Sequence, residues 1–116
     1  MRFADDERDI QRLRDIVRFA QGVASAVARG REAYDADDET RALLHHFLIM
    51  LGEATAALSD EFKAEYPDIE WSAPKAFRNR ILHGCFDVKP DIVWRAATHE
   101  VPDYAARVAQ IIKETT

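Results

Sequence analysis

Cysteine is almost absent from this chain, with one residue, Cys85, in 116. A lone thiol finds no partner within the chain, so no intrachain disulfide is expected and the core must hold the fold. Glycine and proline are scarce too, at four each. Strand-and-turn architectures spend those residues at every reversal, so their scarcity argues for helices. No apolar run approaches the roughly 18–20 residues of a spanning helix, and Met1–Glu7 shows no leader-like apolar stretch. No membrane partner is therefore expected, and the expected compartment is the cytoplasm. A glycine-rich phosphate loop, an H-E-x-x-H pair, a Cys-x-x-Cys spacing and a G-x-S-x-G elbow are all missing. The expectation is a protein with no metal and no cofactor.

What is present fits one domain over residues 1–116. The chain is 47% apolar and 32% charged, which separates it from disordered sequences and supplies enough apolar surface for one core. Its net charge of −5 would repel nucleic acid as a whole, so any nucleic-acid site must be a local basic patch. One window qualifies. Trp71 to Phe86 contains no Asp or Glu but holds Lys75, Arg78, Arg80 and His83, where about three acids would be expected from the composition.

The apolar spacing predicts helices throughout. Ile10, Leu13, Val17, Ala20, Ala24 and Val27 alternate steps of three and four, predicting a helix from about Asp5 to Ala28 that ends at Arg29-Gly30. After a polar stretch, Arg31 to Ala36, the period returns in Leu44, Phe47, Leu48, Leu51, Ala54, Thr55, Leu58 and Phe62. That predicts one long helix from about Asp38 to Glu65, stopped by Tyr66-Pro67. Ser72 and Pro74 open a third, running to about His83 with Gly84 able to end it. Ile92, Val93 and Ala96 start another, and Pro102 starts or kinks the last. The expected fold is all-α, an up-and-down antiparallel bundle of four to five helices.

The run Phe77-Arg78-Asn79-Arg80-Ile81-Leu82-His83-Gly84-Cys85 resembles the R-x4-H-x-Y signature of HepT-like proteins of the HEPN superfamily. Leu51-Gly52-Glu53-Ala54, Pro67-Asp68-Ile69-Glu70-Trp71 and Asp91-Ile92-Val93-Trp94 are also similar to that family, so the resemblance spans nearly the whole chain. It implies a homodimer with paired motifs at its interface and a ribonuclease toxin with Arg78 and His83 as catalytic residues. It further implies, as cognate partner, a minimal nucleotidyltransferase antitoxin that silences the toxin by attaching AMP to the tyrosine. Here the sequence departs from the pattern, because Cys85 stands in the tyrosine's place.

The same residues suit RNA chemistry on their own terms. RNA carries its nucleophile in the 2′-OH, so cleavage needs a base, an acid for the leaving 5′-oxygen and a cation on the phosphorane, without a metal. Imidazole, here His83, exchanges protons near neutral pH. The planar fork of Arg78 matches phosphate oxygens. Asn79 lies four residues before His83, where its amide could fix the imidazole tautomer, and Lys75 and Arg80 are candidates for the RNA backbone. Five residues separate Arg78 from His83, about 140° around a helix, so one straight helix cannot aim both at one point.

Blander roles compete. On spacing alone Arg78 reads as a solvated arginine paired with a carboxylate, and His83 as a C-terminal histidine favoured by the helix dipole. Glu53 reads equally as a buried partner for Arg78 and as an exposed helix glutamate. Trp71 and Trp94 are expected in the core rather than on bases, and His45 and His46 in packing or at the surface. The alternative function is a non-catalytic HEPN subunit that presents substrate or nucleotide to a nucleotidyltransferase partner.

Overall fold

The computed structural model describes residues 3–83 and 88–115, with side chains from residue 7. Within them lie α1 (Phe3–Val27), α2 (Arg31–Ala36), α3 (Asp38–Ala56), α4 (Asp60–Glu65), α5 (Ser72–His83), α6 (Pro90–Arg95), a π-turn (Ala96–Glu100) and α7 (Val101–Thr115). No strand occurs among the described residues. The fold class is all-α, as the sequence predicts. The helices outnumber the expected four to five because two short ones, α2 and α4, were read as connection and as part of a longer helix.

Helix α1 packs against both α3 and α7. Its buried stripe is Asp9, Leu13, Ile16, Ala20, Val23 and Ala26. The stripe expected from Ile10, Val17 and Ala24 lies along the edge of that face, because steps of three and four fit two neighbouring registers equally well. At the end of α1, Gly30 adopts φ 95°, a backbone that only glycine takes without strain, and the chain turns into α2. There Tyr34 is buried, its ring 5.7 Å from that of Trp94 and its hydroxyl 2.8 Å from His45 Nε2. That anchor makes α2 a packed element instead of a solvated linker.

Asp37 caps α3. Its carboxylate accepts from Thr40 Oγ1 at 2.6 Å and from the Glu39 N–H, and these bonds hold it below the usual carboxylate range. The expected continuous helix from Asp38 to Glu65 breaks after Ala56. Two groups cause the break. Ser59 caps α4 by accepting from the Phe62 N–H at 3.1 Å, and the carboxylate of Asp9, 2% exposed, accepts from Ser59 N at 2.9 Å and Ser59 Oγ at 2.7 Å. A buried carboxylate on α1 therefore fixes where α3 ends, a tertiary cause invisible to periodicity. The Asp9–Ser59 contact, together with Gly22 standing against Phe47, shows that α1 and α3 run antiparallel.

From Pro90 to Thr115 the chain is helical throughout. Pro102 has no N–H, and its ring would crowd the carbonyl of Thr98 in an unbroken α-helix. The chain accommodates it with the π-turn Ala96–Glu100, closed by the Val101 N–H on the Ala96 carbonyl.

Candidate active site

Helix α5 carries the residues that the sequence singles out. Ser72 begins it, and Pro74 sits in the first turn, where a missing N–H leaves no helical bond unmade. Ile81 is buried, Phe77 and Arg78 are half-buried, and the opposite face, with Lys75, Asn79, Arg80, Leu82 and His83, is exposed. No acidic side chain lies on the helix.

Arg78 owes its position to a glycine. A Cβ built on Gly52 of α3 would stand 2.5 Å from the Arg78 Cβ and 2.8 Å from the Pro74 carbonyl oxygen, so α5 meets α3 where a side chain is missing. The arginine then bends along α3, 16% exposed, and its Nη1 donates to Glu53 Oε1. Its Nε donates to Asn79 Oδ1 at 3.0 Å. Two of five guanidinium donors are thereby engaged, and among the described residues the other three have no partner and could meet a phosphate. Glu53 pairs with Arg78 but is 49% exposed, an exposed helix glutamate rather than a buried partner. A pair so open to solvent adds about 0–1 kcal/mol, so its main effect is to orient the guanidinium plane.

His83 is exposed at the last position of α5, and no described residue hydrogen-bonds its ring. Asn79 engages Arg78 through its amide oxygen, not His83 as expected. Because α5 is helical through both positions, Arg78 leaves towards α3 while His83 leaves on a face about 140° away. One chain therefore does not bring the pair together. Lys75 and Arg80 are exposed and without ion pairs among the described residues. Cys85, like Gly84, lies outside the described residues.

Other sequence readings are met directly. Trp71 is buried, donating its indole N–H to the carbonyls of Lys63 and Tyr66 at 3.1 Å each, and Trp94 is half-buried against Tyr34. His46 is exposed, and His45 is held below the ordinary histidine range by burial and by the charge of Arg41.

What the sequence did not reveal is a cleft of about 590 Å³ between α5 and the π-turn, floored by Leu48 and Leu51 of α3 and walled by Phe77 and Tyr104, with Arg80 at its rim. The Tyr104 hydroxyl lies 2.7 Å from Thr55 Oγ1, which donates to the Leu51 carbonyl, and burial pushes Tyr104 up to about 12. Five segments form this cleft, and no local pattern announces such a meeting.

The described residues are all-helical, and the acid-free helix α5 carries Arg78, Asn79 and His83. Residues 7–111 match the family model described as "Ribonuclease HepT-like", and the chain belongs to that family. It is similar to a Methanocaldococcus jannaschii protein named "Putative RNase MJ0127", 23% identical over 105 residues that cover 90% of this chain and 82% of the relative. It is also similar to the "Probable ribonuclease HepT" of Thermococcus cleftensis, 23% identical over 82 residues, covering 71% and 74%. No solved structure matches the chain.

Proposed function

We propose that this protein is a metal-independent endoribonuclease that works as a homodimer, the toxin of a toxin–antitoxin pair whose antitoxin is a minimal nucleotidyltransferase. The observation that carries the reading is the state of Arg78 in a chain of the HepT-like family. Its guanidinium is oriented by Glu53 and Asn79 and, among the described residues, keeps three donors free. His83 waits on the open face of the same helix.

In this mechanism an imidazole takes the proton of the RNA 2′-OH as that oxygen attacks the phosphorus. The five-coordinate phosphorane carries extra negative charge, which the free donors of Arg78 neutralise. The P–O5′ bond then breaks, the 5′-oxygen receives a proton from a second imidazole, and a 2′,3′-cyclic phosphate remains. Two chains with their α5 helices face to face supply two histidines and let Arg78 of one chain serve with His83 of the other. The open face suits such an approach, being free of acids and carrying Leu82 at 47% exposure.

The test is cleavage of single-stranded RNA in EDTA, with Arg78→Ala and His83→Ala beside the wild type. If two chains supply the two imidazoles of one site, mixing the wild type with excess His83→Ala lowers the activity per wild-type chain.

A second reading has one observation in its favour. Arg78 already holds a carboxylate within its own chain, as it would in a HEPN subunit that binds a nucleotide or substrate for a nucleotidyltransferase partner without cutting it. RNA binding without cleavage by the wild type would select that reading.

A further inference from the structure

The cleft beside α5 holds three ionic side chains that the proposed chemistry leaves unused. Arg80, Glu70 and Glu100 all line it, and none has an ion pair or side-chain hydrogen bond among the described residues. Between them the walls are apolar or aromatic, with Leu48 and Leu51 below and Phe77 and Tyr104 at the sides. Unpaired charges around an apolar cleft of this size are the ordinary makeup of a site for a small, flat, partly polar ligand.

Position says which ligand. Arg80 is three residues before His83, so their side chains are neighbours on the surface of α5. The cleft extends from Arg80 back to Ala73, about 10 Å of helix, which is longer than a nucleobase. A strand with its scissile phosphate at His83 would lay an adjoining phosphate on Arg80 and turn a neighbouring base into the cleft. The carboxylates of Glu70 and Glu100 only accept hydrogen bonds, so they favour a base that donates through an exocyclic amine. They disfavour uracil, which presents carbonyl oxygens in that place.

We propose that this cleft is a base-binding subsite for the RNA strand, taking one unpaired amino-bearing base against Phe77 and Tyr104 with Arg80 on the adjoining phosphate. The proposal rests on the ribonuclease reading and supplies its substrate preference.

Binding to the uncleaving His83→Ala protein provides a test that does not depend on catalysis. Fluorescence anisotropy with labelled 12-mers of adenylate, cytidylate and uridylate should give affinities for the first two about tenfold above the third, the scale of one hydrogen bond to a charged group. Glu100→Gln and Glu70→Gln, both at exposed positions that leave the core untouched, should narrow that ratio. Arg80→Ala should weaken all three oligomers together. Equal affinity for the three, or a ratio unmoved by both glutamate variants, would overturn the subsite. If the wild type still cuts RNA in that case, only the subsite falls, whereas failure of every oligomer to bind removes the ribonuclease reading with it. Methyl and ring NMR signals of the cleft that shift on dilution without RNA, and stay fixed when adenylate is added, would assign the cleft to a second copy of the chain and reject the proposal.

Discussion

Arg78 crosses α3 directly above Gly52, so close that a Cβ on the glycine would lie 2.5 Å from the arginine's own Cβ. This approach delivers the guanidinium to Glu53. Gly52→Ala must push α5 outward or bend Arg78 away, and overpacking of this kind costs about 1–3 kcal/mol. Urea unfolding should show that loss at an unchanged slope, and RNA cleavage should fall further than stability does. Full cleavage in Gly52→Ala would show that the orientation of Arg78 is unimportant.

The carboxylate of Asp9 holds both the backbone and the hydroxyl of Ser59, fixing the break between α3 and α4. Asp9→Ala leaves a Ser59 N–H without its acceptor in a half-buried place, which should cost about 1–3 kcal/mol. Denaturant titration checks the magnitude. Hydrogen exchange at Ser59 should rise with it, and an unchanged midpoint would contradict the role given to Asp9.

Stability should also depend on His45. Burial and Arg41 depress its folded pKa below that of an unfolded histidine, so as pH falls through about 6.5 the unfolded chain takes up a proton that the folded chain resists. Stability from this source is complete above that pH and is lost progressively below it. His45→Gln should flatten the dependence of thermal midpoint on pH between about 7 and 5 relative to wild type, in the range where histidine titrates. A wild-type curve already flat there would refute the assignment.

Much of the fold was legible and the reasons for the exceptions are physical. Ser72, Pro74 and the acid-free run located α5 from local chemistry alone. The break at Ser59 depends on Asp9, fifty residues away, and α2 depends on Tyr34 finding His45 and Trp94. Pro102 announced a disturbance, but its resolution as a π-turn required knowing that the helix continues on both sides. At the site, the R-x4-H spacing already implied that Arg78 and His83 diverge. The contact of Arg78 with Glu53 follows from the closeness of α3 at Gly52, and Glu53 makes it from an exposed position.

If the proposed pairing with a nucleotidyltransferase holds, Cys85 bears on control rather than on cleavage. Its thiol lacks the phenol ring of the tyrosine that the HepT-like resemblance implies as the AMP acceptor, so an acceptor atom at this position is several ångströms short on the side chain. Incubation with the partner and ATP should leave the present sequence unmodified, while Cys85→Tyr should gain the mass of AMP. A gain on the wild type mapped to residue 85 would show that the thiol substitutes for the phenol.

The central claim is that Arg78 and His83 cut RNA through its own 2′-OH. Single-stranded RNA incubated with the purified protein in excess EDTA should yield fragments ending in 2′,3′-cyclic phosphate, and Arg78→Ala and His83→Ala should each lower the rate about 10²-fold or more, the usual scale for a positioned acid–base group. Cleavage that survives in His83→Ala, or that disappears on chelation alone, would contradict the account.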